Sequence, residues 1–94
     1  MYGLIGQILA QPGERSMLQG VFVGLVGQMP GCVSYVVAED RENPDALWIT
    51  EVWDSQEHHA ASLELPVVKN AIALGRPHIV GFGHRFETTP VTGV

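Results

Sequence analysis

Residues 32–53 read Cys32-Val-Ser-Tyr-Val-Val-Ala-Glu-Asp-Arg-Glu-Asn-Pro-Asp-Ala-Leu-Trp-Ile-Thr-Glu-Val-Trp53, and this stretch decides the fold. Two segments in it, residues 32–40 and 46–53, are rich in β-branched and aromatic side chains, which favour strands. Between them lies a short polar turn that contains Asn43 and Pro44. The pattern predicts two consecutive strands joined by a tight connection.

The segment before this pair predicts one strand and one helix. Residues 2–10 are apolar and stop at Pro12-Gly13, which is typical of a strand that ends in a turn. Residues 14–29 repeat apolar side chains every four positions, which predicts a helix. Three glycines weaken this helix by about 1 kcal/mol each relative to alanine. We expect close approach to a neighbouring surface to compensate at these positions: Gly20, Gly24 and Gly27.

The segment after the pair predicts a second helical region and a last strand. Asp54 followed by Glu57 is similar to a capping box and predicts the helix start. Pro66 divides the helical region, which continues to Gly75. Residues 79–86 then form the last predicted strand, and residues 87–94 form a polar tail.

The predicted order, β-α-β-β-α-β, indicates an α+β, ferredoxin-like domain with both helical regions on one face of an antiparallel sheet. We expect a single domain over residues 1–94, with its core in residues 2–86. The second and third strands are apolar on both faces, whereas a sheet with one wet face alternates apolar and polar residues. This pattern predicts a homodimer in which a second copy covers the far face of the sheet.

Composition excludes several classes of protein. The chain is 46% hydrophobic and only 16% charged, so it does not resemble a disordered tail. Its net charge of −5, without a cluster of Lys or Arg, argues against nucleic acid as a partner. No segment approaches the roughly 18–20 apolar residues of a membrane span, and the N-terminus lacks signal-peptide features. With one cysteine, Cys32, these features predict a cytoplasmic protein.

Standard catalytic signatures are missing from the chain, including phosphate-binding loops, nucleophile elbows and paired metal ligands. His58 and His59 are adjacent, and adjacent residues on a helix point about 100° apart, so we expect no metal site there. Cys32 starts a strand beside no predicted cation, which is more typical of packing than of a nucleophile.

The most informative stretch is residues 49–63. Glu51 and Trp53 share one face of the third strand, and the helix that follows brings His59 and Ser62 back over the sheet. An indole, an imidazole and a hydroxyl at one junction of sheet and helix suit a flat aromatic ligand. Tyr35 on the neighbouring strand can add a phenol. The alternative interpretation is a buried Trp53 and a half-exposed His59 without a ligand.

The chain resembles the antibiotic biosynthesis monooxygenase family over about residues 2–86. The resemblance is carried, in order, by Pro12-Gly13, Pro30-Gly31-Cys32 with Tyr35, Glu51-Val52-Trp53-Asp54-Ser55, His59, Ser62-Leu63, Pro66 and Gly81-Phe82-Gly83.

The resemblance implies a dimeric α/β-barrel with a cleft between the helices and the sheet of each protomer. It implies oxygenation of a quinol- or anthrone-like hydroxyaromatic by dioxygen, without metal or flavin. On this interpretation His59 is the catalytic base and Trp53 stacks against the ring. Tyr35, Ser62 and Glu51 bind the substrate, and Phe22 and Phe82 supply apolar lining. Glu51 could replace His59 as the base only if burial raised its pKa.

Some features depart from the family pattern. Many members carry a second histidine four residues after the first or just after the following proline, where this chain has Leu63 and Val67. The first strand lacks the asparagine of the haem-degrading branch, and no basic phosphate site is present. Two alternatives therefore stay open: a non-catalytic ligand-binding or stress-response module of the same fold, and an isomerase on this scaffold.

Overall fold

The computed structural model describes residues 1–92. Within these residues the chain forms four strands and three α-helices. No helix within the described residues is long and apolar enough to cross a membrane. In chain order the elements are β1 (Tyr2–Ala10), α1 (Arg15–Val23), β2 (Cys32–Glu39), β3 (Ala46–Trp53), α2 (Gln56–Ser62), α3 (Pro66–Gly75) and β4 (Ile79–Thr88), with one 3-10 turn, Arg76–His78, before β4.

The strands form one antiparallel sheet in the order β2-β3-β1-β4. The first and third strands, which are not consecutive, lie side by side at its centre, so Tyr2 pairs with Trp53. On the other side of β3, Tyr35 pairs with Glu51. This topology confirms the predicted ferredoxin-like α+β fold, and it places Tyr35 and Glu51 directly opposite each other.

The core lies between the sheet and the helices. The large side chains with essentially no exposed surface are Trp53 and Leu47 from β3 and Leu18 from α1. Gly75 at the end of α3 allows α3 to pack closely against α1, because a Cβ at this position would lie 3.2 Å from Leu18 Cδ1. The inner faces of β1 and β3 thus carry most of the sheet's share of the core.

The first helix is shorter than the sequence predicted. It ends at Val23 and continues as turns, because Gly24 caps it and Gly27 adopts a φ of +76°, a conformation that glycine tolerates best. A Cβ at Gly20 would meet no atom within 4 Å. The expected close approach at Gly20 is therefore wrong, and the glycines instead loosen and end the helix.

Two other local predictions also need correction. The cap of α2 is Ser55 rather than Asp54, because the Ser55 hydroxyl accepts a hydrogen bond from the His58 backbone N–H at 3.1 Å. The last strand runs to Thr88, two residues beyond the predicted end, since Gly3 of β1 pairs with Thr88. Part of the predicted tail is thus sheet.

The far side of the sheet carries exposed aromatic and aliphatic side chains, and none of the described helices covers them. His84 lies parallel to Trp48 at 6.2 Å and to Phe86 at 6.0 Å between ring centroids. Val36 and Phe86 are 50% and 51% exposed. Asp40 lies at one end of this face and accepts hydrogen bonds from Trp48 Nε1 and Gln7 Nε2.

We predict that Leu18→Ala lowers the free energy of unfolding by about 2–5 kcal/mol, because it leaves a cavity between the helices and the sheet. Met17→Ala is the matched control, since Met17 is 58% exposed on the same helix; its effect should stay within about 0.5 kcal/mol. Urea unfolding at one protein concentration measures both. Equal effects would contradict this description of the core.

Candidate functional site

A cavity of about 200 Å³ opens between the inner face of the sheet and α1. Its walls are mostly apolar, and its polar groups come from the strands. The lining residues are Leu4, Gly6, Gln7, Ile8, Phe22, Tyr35, Ile49, Glu51, Phe82, His84 and Arg85. We call this space the inner cavity. A small apolar cavity with a few placed polar groups is the usual form of a ligand site.

A second cavity of about 400 Å³ adjoins the inner cavity near α3. The two share Ile8, Phe22 and Phe82 as lining residues. Phe82 is 73% exposed, which is unusual for a phenylalanine in a lone domain. The two aromatic rings predicted as apolar lining therefore lie where the two spaces meet.

Glu51 is the acidic group in the wall of the inner cavity. The Trp53 indole N–H donates a hydrogen bond to Glu51 Oε1 at 3.0 Å. Burial raises the pKa of Glu51 above its ordinary value, although the Trp53 hydrogen bond and the Arg85 charge oppose this effect. A carboxyl in this state can exchange a proton closer to neutral pH than an exposed one.

Tyr35 lines the same cavity and pairs with Glu51 across the strands. Burial and the negative charge of Glu51 raise the pKa of Tyr35 well above its ordinary value. The phenol therefore stays protonated over the range in which Glu51 titrates, and it can act as a hydrogen-bond donor. Tyr35 and Glu51 together give the cavity one donor and one acceptor.

The structure places Trp53 and His59 behind the cavity. Trp53 has no exposed surface, which differs from the ring-stacking role that the family resemblance implies. The half-buried His59 ring meets the Trp53 indole edge-on at 5.4 Å and packs on Tyr2 at 5.6 Å. Burial, with the positive charge of Arg85, lowers the pKa of His59, so its imidazole is neutral at neutral pH.

Ser62 also lies away from the inner cavity. Its hydroxyl, on a residue only 4% exposed, donates a hydrogen bond to the His59 carbonyl oxygen at 2.6 Å. The residue lines a separate small cavity with Pro30 and Leu65. Of the seven predicted site residues, Tyr35, Glu51, Phe22 and Phe82 line the inner cavity. Trp53, His59 and Ser62 do not line it, although Trp53 is hydrogen-bonded to Glu51.

Sequence reasoning missed a polar cluster beside His59. The Tyr2 hydroxyl donates a hydrogen bond to Glu87 Oε2 at 2.8 Å, and Arg85 Nη1 lies 3.6 Å from Glu87 Oε1. Arg85 also lines the inner cavity. The alternation of Arg85 and Glu87 is the signal that could have found the cluster, since it is typical of one face of a strand.

Cys32 shows the features of a packing residue. Its thiol donates a hydrogen bond to the Ser34 carbonyl oxygen at 3.5 Å, and burial together with Glu51 raises its pKa. The thiol is thus a poor nucleophile at neutral pH. Within residues 1–92, no group of three or more His, Cys, Asp or Glu side chains lies close enough together to hold a metal ion.

The sequence profile of the antibiotic biosynthesis monooxygenase family matches residues 1–74. A candidate antibiotic biosynthesis monooxygenase from Chloroflexus aurantiacus is 56% identical in sequence, and its crystal structure superimposes with a TM-score of 0.94. That match covers 99% of this chain and 95% of the other. The region that matches the family profile, residues 1–74, includes β1 to β3, α2 and nearly all of α3, and it therefore includes Tyr35 and Glu51.

More distant solved structures share the fold. A candidate member of the same family from Deinococcus radiodurans is 24% identical, with a TM-score of 0.81 over 100% of this chain and 96% of the other. One from Caulobacter crescentus is 19% identical, with a TM-score of 0.86 over 97% and 90%. A comparison with curated proteins found no match.

We predict that Glu51→Gln stabilises the fold at about pH 8 but not at about pH 4. Because its pKa is raised on folding, Glu51 is more easily kept protonated in the folded protein than in the unfolded chain. The contribution of protonated Glu51 to the free energy of unfolding is fully present below the unfolded-state pKa of about 4.3, and it is lost as the pH rises through the folded-state pKa. Glutamine keeps an oxygen that can accept the Trp53 hydrogen bond and carries no charge.

Urea unfolding at both pH values measures this difference, with Glu42→Gln as the control, because Glu42 is exposed in the turn between β2 and β3. A Glu51→Gln variant that loses stability at the higher pH would contradict the assignment of Glu51 to a desolvated wall.

Proposed function

The chain belongs to the antibiotic biosynthesis monooxygenase family, and we propose that it oxygenates a quinol- or anthrone-like hydroxyaromatic with dioxygen. In this proposal the substrate itself supplies the electrons, so the reaction needs no metal, flavin or other cofactor. The observation that carries the proposal is the inner cavity, which has mostly apolar walls and holds an acceptor, Glu51, and a donor, Tyr35, on paired positions of neighbouring strands.

The shape and chemistry of the inner cavity suit such a substrate. Leu4, Ile8 and Ile49 of the central strands give the inner cavity an apolar floor, and Phe22 of α1 also lines it. An aromatic ring can pack on this floor and gain free energy from the apolar area that it buries. The substrate oxygen would then meet Glu51 and Tyr35.

The proposed reaction balances without an external reductant. For a naphthohydroquinone, loss of the hydroxyl proton leaves an electron-rich phenolate, which transfers one electron to dioxygen. The resulting radical pair combines, and a bond forms between a ring carbon and one oxygen atom. The hydroperoxide then breaks its O–O bond: one oxygen stays on the ring as a hydroxyl, the other leaves as water, and the ring is left as a hydroxyquinone.

The protein's share of this chemistry is to remove the first proton and to exclude water. An apolar site strengthens the hydrogen bonds that hold the phenolate, because fewer water dipoles compete with them. It also suits dioxygen, which is apolar. Neither step requires a redox group on the protein.

We further propose that a second copy of the chain covers the far face of the sheet. The support is the exposed Val36 and Phe86 beside the stacked Trp48 and His84, since aromatic residues of this kind are enriched in protein interfaces. These exposed residues agree with the homodimer that the apolar pattern of the second and third strands predicts. The cytoplasmic location stays a prediction from composition.

We predict that the purified protein, treated with a chelator, increases oxygen uptake by hydroquinones, naphthohydroquinols or anthrones above their spontaneous autoxidation at the same pH. An oxygen electrode measures the uptake, and mass spectrometry with labelled dioxygen shows one labelled oxygen atom in the product. Phe22→Ala should raise KM because it removes one wall of the inner cavity, whereas Met17→Ala should not. Uptake no faster than the blank across the panel would contradict the proposed function and favour a ligand-binding role.

We predict that light scattering gives about twice the 10.2 kDa mass of one chain at micromolar concentration. Val36→Asp, on the far face of the sheet, should lower the mass toward one chain because it buries an unpaired charge in the interface. Met17→Asp, on the outer side of α1, is the matched control and should leave the mass unchanged. A wild-type mass of one chain would overturn the dimer.

A further inference from the structure

We propose that Glu51 accepts the hydroxyl proton of the aromatic ligand, through the carboxylate oxygen that Trp53 leaves free, and that His59 does not. This inference rests on the proposed function, because it names the base for that reaction. It identifies the ligand as one that presents a hydroxyl group to the floor of the inner cavity.

Glu51 lies on the inner face of a central strand, paired with Leu4 on one side and Tyr35 on the other. All three residues line the inner cavity. A catalytic group on a central strand has little freedom to move, so its distance to a bound ring is well defined. The strand also brings Trp53 to the same side, two residues further on.

The Trp53 indole fixes the carboxylate. It donates its N–H to Glu51 Oε1 at 3.0 Å from a fully buried position. An indole N–H in the core needs an acceptor, so this bond restricts the Glu51 side chain to one orientation. Within residues 1–92 the Glu51 side chain accepts no other hydrogen bond, and Oε2 is therefore the oxygen available to a ligand.

His59 is less suited to the same task. Its ring is not among the residues that line the inner cavity, and two aromatic rings, Trp53 and Tyr2, pack against it. A base must come within hydrogen-bond reach of the proton it removes. His59 instead supports the back of Trp53 and acts as a positioning residue for the Trp53–Glu51 pair.

The proton transfer balances with Glu51 and Tyr35 alone. The ligand O–H bond breaks, an O–H bond forms on Glu51, and the electron pair stays on the ligand oxygen as phenolate. The Tyr35 hydroxyl, which stays protonated, can donate a hydrogen bond to that oxygen. Dioxygen then reacts with the phenolate, and Glu51 returns its proton to the peroxide oxygen.

The acid–base properties of this wall favour Glu51 as the acceptor. A phenol has a pKa near 10 and an ordinary glutamate has one near 4.3. A raised pKa of Glu51 therefore reduces the difference in pKa between the ligand hydroxyl and its acceptor, and with it the free-energy cost of the proton transfer. The titratable or charged groups that face Glu51 are Tyr35 and Cys32 from β2 and Arg85 from β4. Tyr35 and Cys32 stay neutral as Glu51 ionises, and Arg85 stays positive.

Ligand binding provides a test that does not depend on turnover. The probes are 2-naphthol and 2-fluoronaphthalene, which have similar shapes but differ in the hydroxyl donor. Wild-type protein should prefer the naphthol by about tenfold or more at pH 8 and by less at pH 4, because the ionised carboxylate is the stronger acceptor. Fluorescence titration measures both dissociation constants.

Three variants separate the roles. Glu51→Gln should lose most of the preference and its dependence on pH, whereas His59→Gln should keep both. Met17→Ala is the control that should behave as wild type. A preference that Glu51→Gln retains, or that is absent from the wild type, would overturn the inference.

Turnover of a naphthohydroquinone then separates this inference from the proposed function. Glu51→Gln should lower kcat/KM by at least about 100-fold and remove the rise of the rate with pH, while His59→Gln should stay within about tenfold. Active protein in which His59→Gln is the inactive variant would overturn the inference and keep the function. Wild-type uptake at the blank rate would overturn the function, and the binding preference would still decide the role of Glu51.

Discussion

The hydrogen bond from the Trp53 indole to Glu51 Oε1 is the interaction on which the site depends. Trp53 is fully buried because β3 is a central strand that faces the helices. Its N–H cannot reach water, so it needs a protein acceptor, and the residue two positions earlier on the same strand face provides one. Because the buried Trp53 N–H needs an acceptor, the Glu51 carboxylate is held at the wall of the inner cavity. This environment is desolvated and raises the pKa of Glu51.

The two faces of the sheet therefore have different roles in this account. The inner face carries the core, the inner cavity and the Glu51–Tyr35 pair. The far face carries exposed apolar side chains that we propose a second copy covers. A small domain that buries both faces of its sheet can keep a cavity on one of them. The free energy gained at the proposed dimer interface then offsets the stability that the cavity costs.

The sequence predicted the strands better than the helices and the site. The bounds of β1 and β3 are as predicted, because Pro12-Gly13 and the polar turn before Ala46 end each pattern clearly. Helix α1 was predicted too long, since apolar spacing continues past Gly24 while the backbone does not. Tyr35 and Glu51 were placed correctly on neighbouring strands, because strand parity is readable. His59 returns over the sheet against Trp53, as the sequence predicted. Spacing along a helix does not say which side chains reach the cavity, and Arg85 needed the pairing of β4 with β1.

The most direct measurement is a crystal structure of the protein with 2-naphthol bound. We expect the ring to lie on the apolar floor formed by Leu4, Ile8 and Ile49, with its oxygen about 2.5–3.0 Å from the Glu51 carboxylate and with the Trp53–Glu51 hydrogen bond intact. A naphthol oxygen bound to His59, or a ligand only in the neighbouring apolar cavity away from Glu51, would contradict it.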